Sequence, residues 1–173
     1  IESGIVSGVL DLTTTEWADE LVGGVLNAGP ERMDAAAKAN VPVVVGPGCL
    51  DMVNFGEQAS IPAKFSGRNF YIHNPQVTLM RTTAAECTEL GRIVAEKTNA
   101  YTAGAVIMLP TKAISVISAE GKPFHDAAAD HALFAALKQH ARVPVREFAE
   151  EINSPAFAQA CAHQLIALMQ AKK

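Results

Sequence analysis

The densest run of chemically competent side chains in this sequence is His73-Asn74-Pro75-Gln76, with Arg81 close behind. A histidine at a strand end suits general acid or base work near neutral pH. An arginine fork can hold a carboxylate or phosphate through two parallel hydrogen bonds. The plainer alternative has His73 and Asn74 bonding the turn while Arg81 pairs with an acid.

A second group follows Gly46-Pro47-Gly48 and comprises Cys49, Asp51 and Asn54. The glycines lack both the Lys-Ser/Thr of a Walker A loop and GxGxxG spacing, so they serve a tight turn or the close approach of a ligand. Asp51 and Asn54 stand three apart, and a helical turn would aim both the same way. Such a pair suits ribose hydroxyls, an amide or a metal-bound water. Cys49 would make a nucleophilic pair with His73 or His125, although free cysteines are mostly buried and inert. Thr13-Thr14-Thr15 offers hydroxyls and backbone N–H groups to an anion at a helix start, or simply caps that helix. In His125-Asp126 the aspartate reads as a helix cap and the histidine as a lesser site candidate. His131, His140 and His163 lie in helices without metal-ligand spacing. No HExxH, CxxC or facial-triad pattern is present, so no metal is expected.

The elements that must position these residues alternate. Residues 5–12 read as a buried strand, and Thr13 and Glu16 have capping-box spacing for a helix to about Leu26 that buries Trp17, Leu21 and Val25. Pro30 opens a second helix ending at Asn40 as a left-handed cap. Residues 41–45 form a strand, 46–67 a loop with a helical turn near Ala63, and 70–73 a further strand. Thr83 to Glu86 repeats the capping box before a helix to about Asn99. Residues 103–109 are a buried strand, and 114–117 an extra strand or a packed loop. Asp126 caps a helix over 127–142, residues 143–148 form an edge strand with Pro144 near its start, and a last helix runs from Asn153-Ser154-Pro155 to the C-terminus. Strand and helix in alternation imply a Rossmann-like three-layer α/β sandwich with a mostly parallel sheet of four to six strands. Ligands then sit outside the carboxyl ends of the strands.

The 173 residues suffice for one domain with its own core, and the 49% hydrophobic and 18% charged content is that of a folded α/β chain. A net charge of −4 with scattered Lys and Arg gives no basic face, so no direct nucleic-acid partner is expected. Three cysteines at irregular spacing form no disulfide framework, which points to a reducing cytoplasm. No apolar run reaches the roughly 18 residues of a membrane span, and no signal peptide is visible. The start at Ile1, without Met, suggests a chain that begins partway through a longer protein.

Several motifs together match one family in order. They are residues 11–16 (Asp-Leu-Thr-Thr-Thr-Glu), 24–30 (Gly-Val-Leu-Asn-Ala-Gly-Pro), 46–56 from Gly46 to Gly56, 73–83 from His73 to Thr83, and Pro123-Phe124-His125-Asp126. The chain resembles the Tm-one-like ATP-binding family, which includes a plant tobamovirus-resistance protein and bacterial and fungal relatives. The likeness covers essentially the whole chain. It implies two Rossmann-like subdomains, of which this is the carboxyl-terminal one. It also implies ATP as the nucleotide, contacted mainly through a glycine-rich stretch of the first subdomain, and a homodimer. The chain departs from the family after Pro110, where Thr111-Lys112-Ala113 and Ser118-Ala119-Glu120 replace a Gly-rich turn and a later Asp.

The expected function is the ligand-binding half of such a protein. Thr13, Thr14, Thr15, Gly46, Gly48, Asp51, Asn54, His73, Asn74, Arg81 and His125 would face a cleft for a nucleotide or small anionic ligand. One alternative is an enzyme acting on a small carboxylated or phosphorylated metabolite, with His73 as acid/base and Arg81 as anion clamp. Another is a dimerisation or protein-interaction module.

Overall fold

The computed structural model of the chain describes residues 1–171. In chain order the elements are β1 (Val9–Thr13), α1 (Glu16–Val22), α2 (Asp34–Lys38), β2 (Val43–Gly48), β3 (Met52–Phe55), β4 (Phe70–Asn74) and β5 (Val77–Arg81). They continue with α3 (Ala84–Thr98), β6 (Ala105–Pro110), α4 (Ala127–His140), β7 (Val145–Phe148) and α5 (Pro155–Ala171). The last helix is the expected one, and Lys172 and Lys173 lie outside the described residues.

The strands divide into two sheets. β1, β2, β6 and β7 form a parallel sheet in that order, and β3, β5 and β4 form a separate antiparallel one. Each strand of the parallel sheet is laid beside its predecessor in one direction. Right-handed crossovers therefore put α1 to α4 on a single face. Side chains alternate accordingly. Val43, Val45, Ile107 and Leu109 pack with Trp17, Leu90, Val94, Leu133 and Leu137 on that face. Val44, Val106 and Met108 meet Phe157 and Cys161 of α5 on the other. Both central strands, β2 and β6, are buried from end to end.

The antiparallel sheet is an excursion between β2 and α3, and its two ends lie side by side. Met52 pairs with Arg81, the Thr82 N–H donates to the Asp51 carbonyl at 3.1 Å, and the Thr82 hydroxyl donates to the Leu50 carbonyl at 2.9 Å. One face of this sheet, through Val53, Phe55, Met80 and Phe70, joins the main core. The opposite face carries Met52, Leu79, Val77 and Tyr71 and is closed by Phe124 and Ile117.

The sequence expectation for the first helix needs correction. It ends at Val22 because Gly23 turns left-handed at φ 102°. Of the three residues expected inside, only Trp17 is buried, while Val25 is 62% exposed and Leu21 37%. The chain instead bends toward β3: the Val25 N–H donates to the Asn54 carbonyl and the Leu26 N–H to the Asp19 carboxylate at 2.8 Å. A Cβ on Gly24 would stand 2.3 Å from Asp19 Oδ1, so only glycine fits there. The capping box of Thr13 and Glu16 is absent as well. Thr15 is the N-cap residue without a side-chain cap bond, and Glu16 pairs with Arg32. The second helix is confined to Asp34–Lys38, with Asn40 left-handed at φ 52° as expected.

Residues 46–67, expected as a loop, contain β3, and β5 was not anticipated. Residues 114–117 are a packed loop, preceded by one isolated bridge between Ala113 and Glu151. The capping box from Thr83 to Glu86, the Asp126 cap and the edge position of β7 are all as the sequence indicates.

Candidate functional site

Three structural pieces meet at the carboxyl ends of the two central strands. Cys49 directly follows β2, and its N–H donates to the Ile114 carbonyl in the loop after β6 at 2.9 Å. The face of the antiparallel sheet turned away from the main core supplies a second wall. Between them lies a groove of about 280 Å³ lined by Cys49, Met52, Asn54, His73, Val77, Leu79, Ser115, Val116 and Ile117.

Gly46 and Gly48, just before the groove, let β2 approach β1 closely. A Cβ on either would stand 2.8 Å and 2.4 Å, respectively, from the Leu12 carbonyl oxygen of β1. Cys49 then takes φ 59°, a left-handed conformation uncommon outside glycine, asparagine and aspartate. Burial pushes its thiol up to about 12, with the negative field of Asp51 adding to the effect. A thiol pushed that high by burial favours its protonated form at physiological pH, which counts against the nucleophilic pair weighed from the sequence. At pH 8, alkylation of Cys49 by iodoacetamide is expected to run about a hundredfold or more below that of an unperturbed cysteine, since the thiolate is the nucleophile. Mass spectrometry of timed samples reads this directly, and labelling at an ordinary rate would contradict it.

Asp51 sits behind the groove, fully buried. Its Oδ2 accepts the Ser115 hydroxyl at 2.7 Å, while Oδ1 is one of two buried side-chain polar atoms without a partner among the described residues, Trp17 Nε1 being the other. Desolvation raises the Asp51 carboxyl to about 6, partly countered by Ser115 and Arg81. Asn54, on β3, gives its Nδ2 to both oxygens of Asp19 at 3.3 and 3.2 Å and to the Thr15 hydroxyl at 3.3 Å. Asp19 also accepts the Asn54 backbone N–H at 2.7 Å. Burial raises its pKa despite these donors. This carboxylate is the joint that holds α1 and the 24–26 bend against β3.

The other residues named from the sequence disperse. Thr14 is buried and its hydroxyl bonds the Gly46 carbonyl at 3.0 Å. Thr13 is exposed at the end of β1, where its carbonyl accepts from Arg32 at 3.4 Å. Asn74 accepts the Gln76 N–H at 2.9 Å, a local turn bond. His125 is exposed and its Nδ1 lies 3.3 Å from the Ser118 carbonyl. Arg81 is 4% exposed. It pairs with Asp130 at 2.6 Å and donates to the Phe124 carbonyl at 2.9 Å and the Thr82 hydroxyl at 3.1 Å. Its partner is thus an internal, half-buried carboxylate.

The groove brings together Cys49, Asn54 and His73, with Thr15 and Asp51 one contact away. Sequence reasoning passed over Ser115 and Asp19. The Ser115-x-x-Ser118 spacing was the available signal: the Ser118 N–H donates to Ser115 Oγ at 3.1 Å and Ser118 Oγ accepts the Ser115 N–H at 3.0 Å, so the loop locks onto itself. Among the described residues no group of three or more His, Cys, Asp or Glu is placed to hold a metal ion, and no helix is long and apolar enough to cross a membrane.

Fold and groove together define an α/β domain with a small-molecule-sized groove at its strand ends. The C-terminal domain of the uncharacterised protein family UPF0261 matches residues 1–169, and the chain belongs to that family. A UPF0261 protein of Clostridium tetani is 48% identical over 173 residues, covering 98% of this chain and 43% of the relative. One from Rhizobium meliloti is 44% identical over 163 residues, covering 92% and 41%. The tomato (Solanum lycopersicum) ToMV resistance protein Tm-1(GCR237) is 40% identical over 164 residues, covering 92% and 22%. The resemblance read from the motifs is thus confirmed, and the chain spans less than half the length of these relatives.

Proposed function

We propose that this chain is the ligand-binding half of a longer, cytoplasmic, homodimeric ATP-binding protein, its strand-end groove forming one side of a nucleotide cleft completed by a first subdomain. The observation that carries this reading is the convergence of Cys49, Asn54, His73 and Ser115 on one groove at the ends of β2 and β6. Ligand clefts span roughly 300–1,000 Å³, so a groove of about 280 Å³ suits part of a nucleotide and leaves the rest to a facing surface. An enzyme with Arg81 as anion clamp is less well supported, because that guanidinium is already held by Asp130.

Calorimetric titration of the full-length protein with MgATP tests the proposal. Saturable binding is expected, weakened about tenfold or more by His73→Ala, whose side chain is exposed and whose loss leaves the core untouched. Absence of binding at millimolar MgATP, or an affinity indifferent to His73→Ala, would overturn it.

A further inference from the structure

Ser115 and Asn54, two polar residues of the groove, have a shared directionality. The Ser115 hydroxyl has one hydrogen, and it is given to Asp51 Oδ2 at 2.7 Å. The same oxygen accepts the Ser118 N–H at 3.1 Å, so what remains for a groove ligand is a lone pair. Asn54 is fixed in the same sense. Its Nδ2 is committed to Asp19 and Thr15, and because Asp19 also accepts two backbone N–H groups, the amide cannot be turned round. Asn54 Oδ1 is the side-chain polar atom left to offer.

Two acceptors therefore remain on residues that line the groove, beside the apolar side chains of Met52, Val77, Leu79, Val116 and Ile117 and together with His73 and the Cys49 thiol. Among the described residues lining the groove there is no Lys or Arg, and Arg81 is engaged elsewhere. A phosphate, an acceptor on every oxygen, meets lone pairs here and finds no permanent counter-charge. A flat, neutral ring carrying an N–H₂ group fits both the walls and the acceptors.

We propose that this groove is a base pocket, which takes the amino-bearing edge of an aminopurine ring and leaves the phosphates of a nucleotide outside. The inference rests on the nucleotide reading above and specifies which end of the ligand this chain holds. Purine riboside has the ring of adenosine with hydrogen in place of the exocyclic amine. It would bury Asn54 Oδ1 and the remaining lone pair of Ser115 Oγ without a donor, a loss that falls on the affinity.

The test measures equilibrium binding of adenosine, purine riboside and inorganic pyrophosphate to the full-length protein, its Ser115→Ala variant and its Val116→Arg variant. Adenosine is expected to bind about tenfold or more tightly than purine riboside, with pyrophosphate not competing. Ser115→Ala should shrink that preference. Val116→Arg, at a position 65% exposed and outside the core, should weaken adenosine about tenfold or more even if Ser115→Ala does not fold. Equal affinity for the two nucleosides, competition by pyrophosphate, or indifference to Val116→Arg would each overturn the base pocket. The two readings fail separately. MgATP binding that ignores Val116→Arg and is displaced by pyrophosphate sinks the base pocket alone. Selective adenosine binding without any MgATP binding sinks the ATP reading alone and upholds the pocket.

Discussion

Arg81→Met is expected to destabilise the fold by about 3–5 kcal/mol, because it strands a half-buried Asp130 carboxylate without its partner. The Asp130 side chain is 13% exposed and receives the Arg81 guanidinium at 2.6 Å. The same guanidinium also satisfies the Phe124 carbonyl. Urea denaturation of the variant would show a lowered midpoint at unchanged slope. Pairing Arg81→Met with Asp130→Leu should recover most of the loss, since the cost lies in the unpaired charge more than in the missing bridge. An arginine kept as an anion clamp would behave differently: its loss would leave stability within about 0.5 kcal/mol and appear in ligand affinity alone.

Asp51 should make the protein less stable as pH rises from about 4 to about 6. Its carboxyl titrates near 6 in the fold against an ordinary value of 3.8. Between those values the folded state holds a proton that the unfolded chain has lost, so the slope of unfolding free energy with pH is negative. Below both values the group contributes nothing to the difference, and above both the full penalty of burying the charge stands, about 3 kcal/mol at 1.36 kcal/mol per unit. Asp51→Asn removes the charge and leaves an acceptor for Ser115. The variant is expected to be more stable than the parent at pH 7–8 and to show a flatter profile between pH 4 and 6. Asp19 and Asp130, also raised by burial, retain part of the slope. A variant with an unaltered profile, or one destabilised at pH 8, would show that the buried carboxylate is not under this strain.

The parallel sheet was legible in the sequence because its central strands are continuous apolar runs that nothing else explains. Val43 to Val45 and Val106 to Leu109 are buried on both faces. Helix starts at Thr83 and Asp126 were legible because the cap and the residue it serves are three positions apart. The antiparallel sheet was not. β3 is four residues, Met52–Phe55, inside a stretch punctuated by glycine, proline and asparagine, and its strand character comes from pairing with β5 across 23 to 29 positions. The site followed the same division. Cys49, Asn54 and His73 were recognisable as polar residues at element ends, yet their meeting depends on that unseen sheet. Ser115 acquires its orientation from Asp51, 64 positions away. Arg81 looked like a ligand contact because nothing local announces Asp130, 49 positions later, as its partner. Asp19 was passed over because nothing local sets it apart, and only the glycine at 24 hinted at a backbone drawn close to it.

The neck at Leu50, Asp51 and Thr82 gives the excursion of β3 to β5 the geometry of a cassette. Its entry from β2 and its exit into α3 lie side by side, and the framework strands β2 and β6 pair with each other directly. A different wall can be grafted across that neck so long as the inward face, Val53, Phe55 and Met80, and the Arg81 anchor are retained. One strand-end floor can thus be fitted with different ligand-reading walls, and selectivity can change while the scaffold stays as it is.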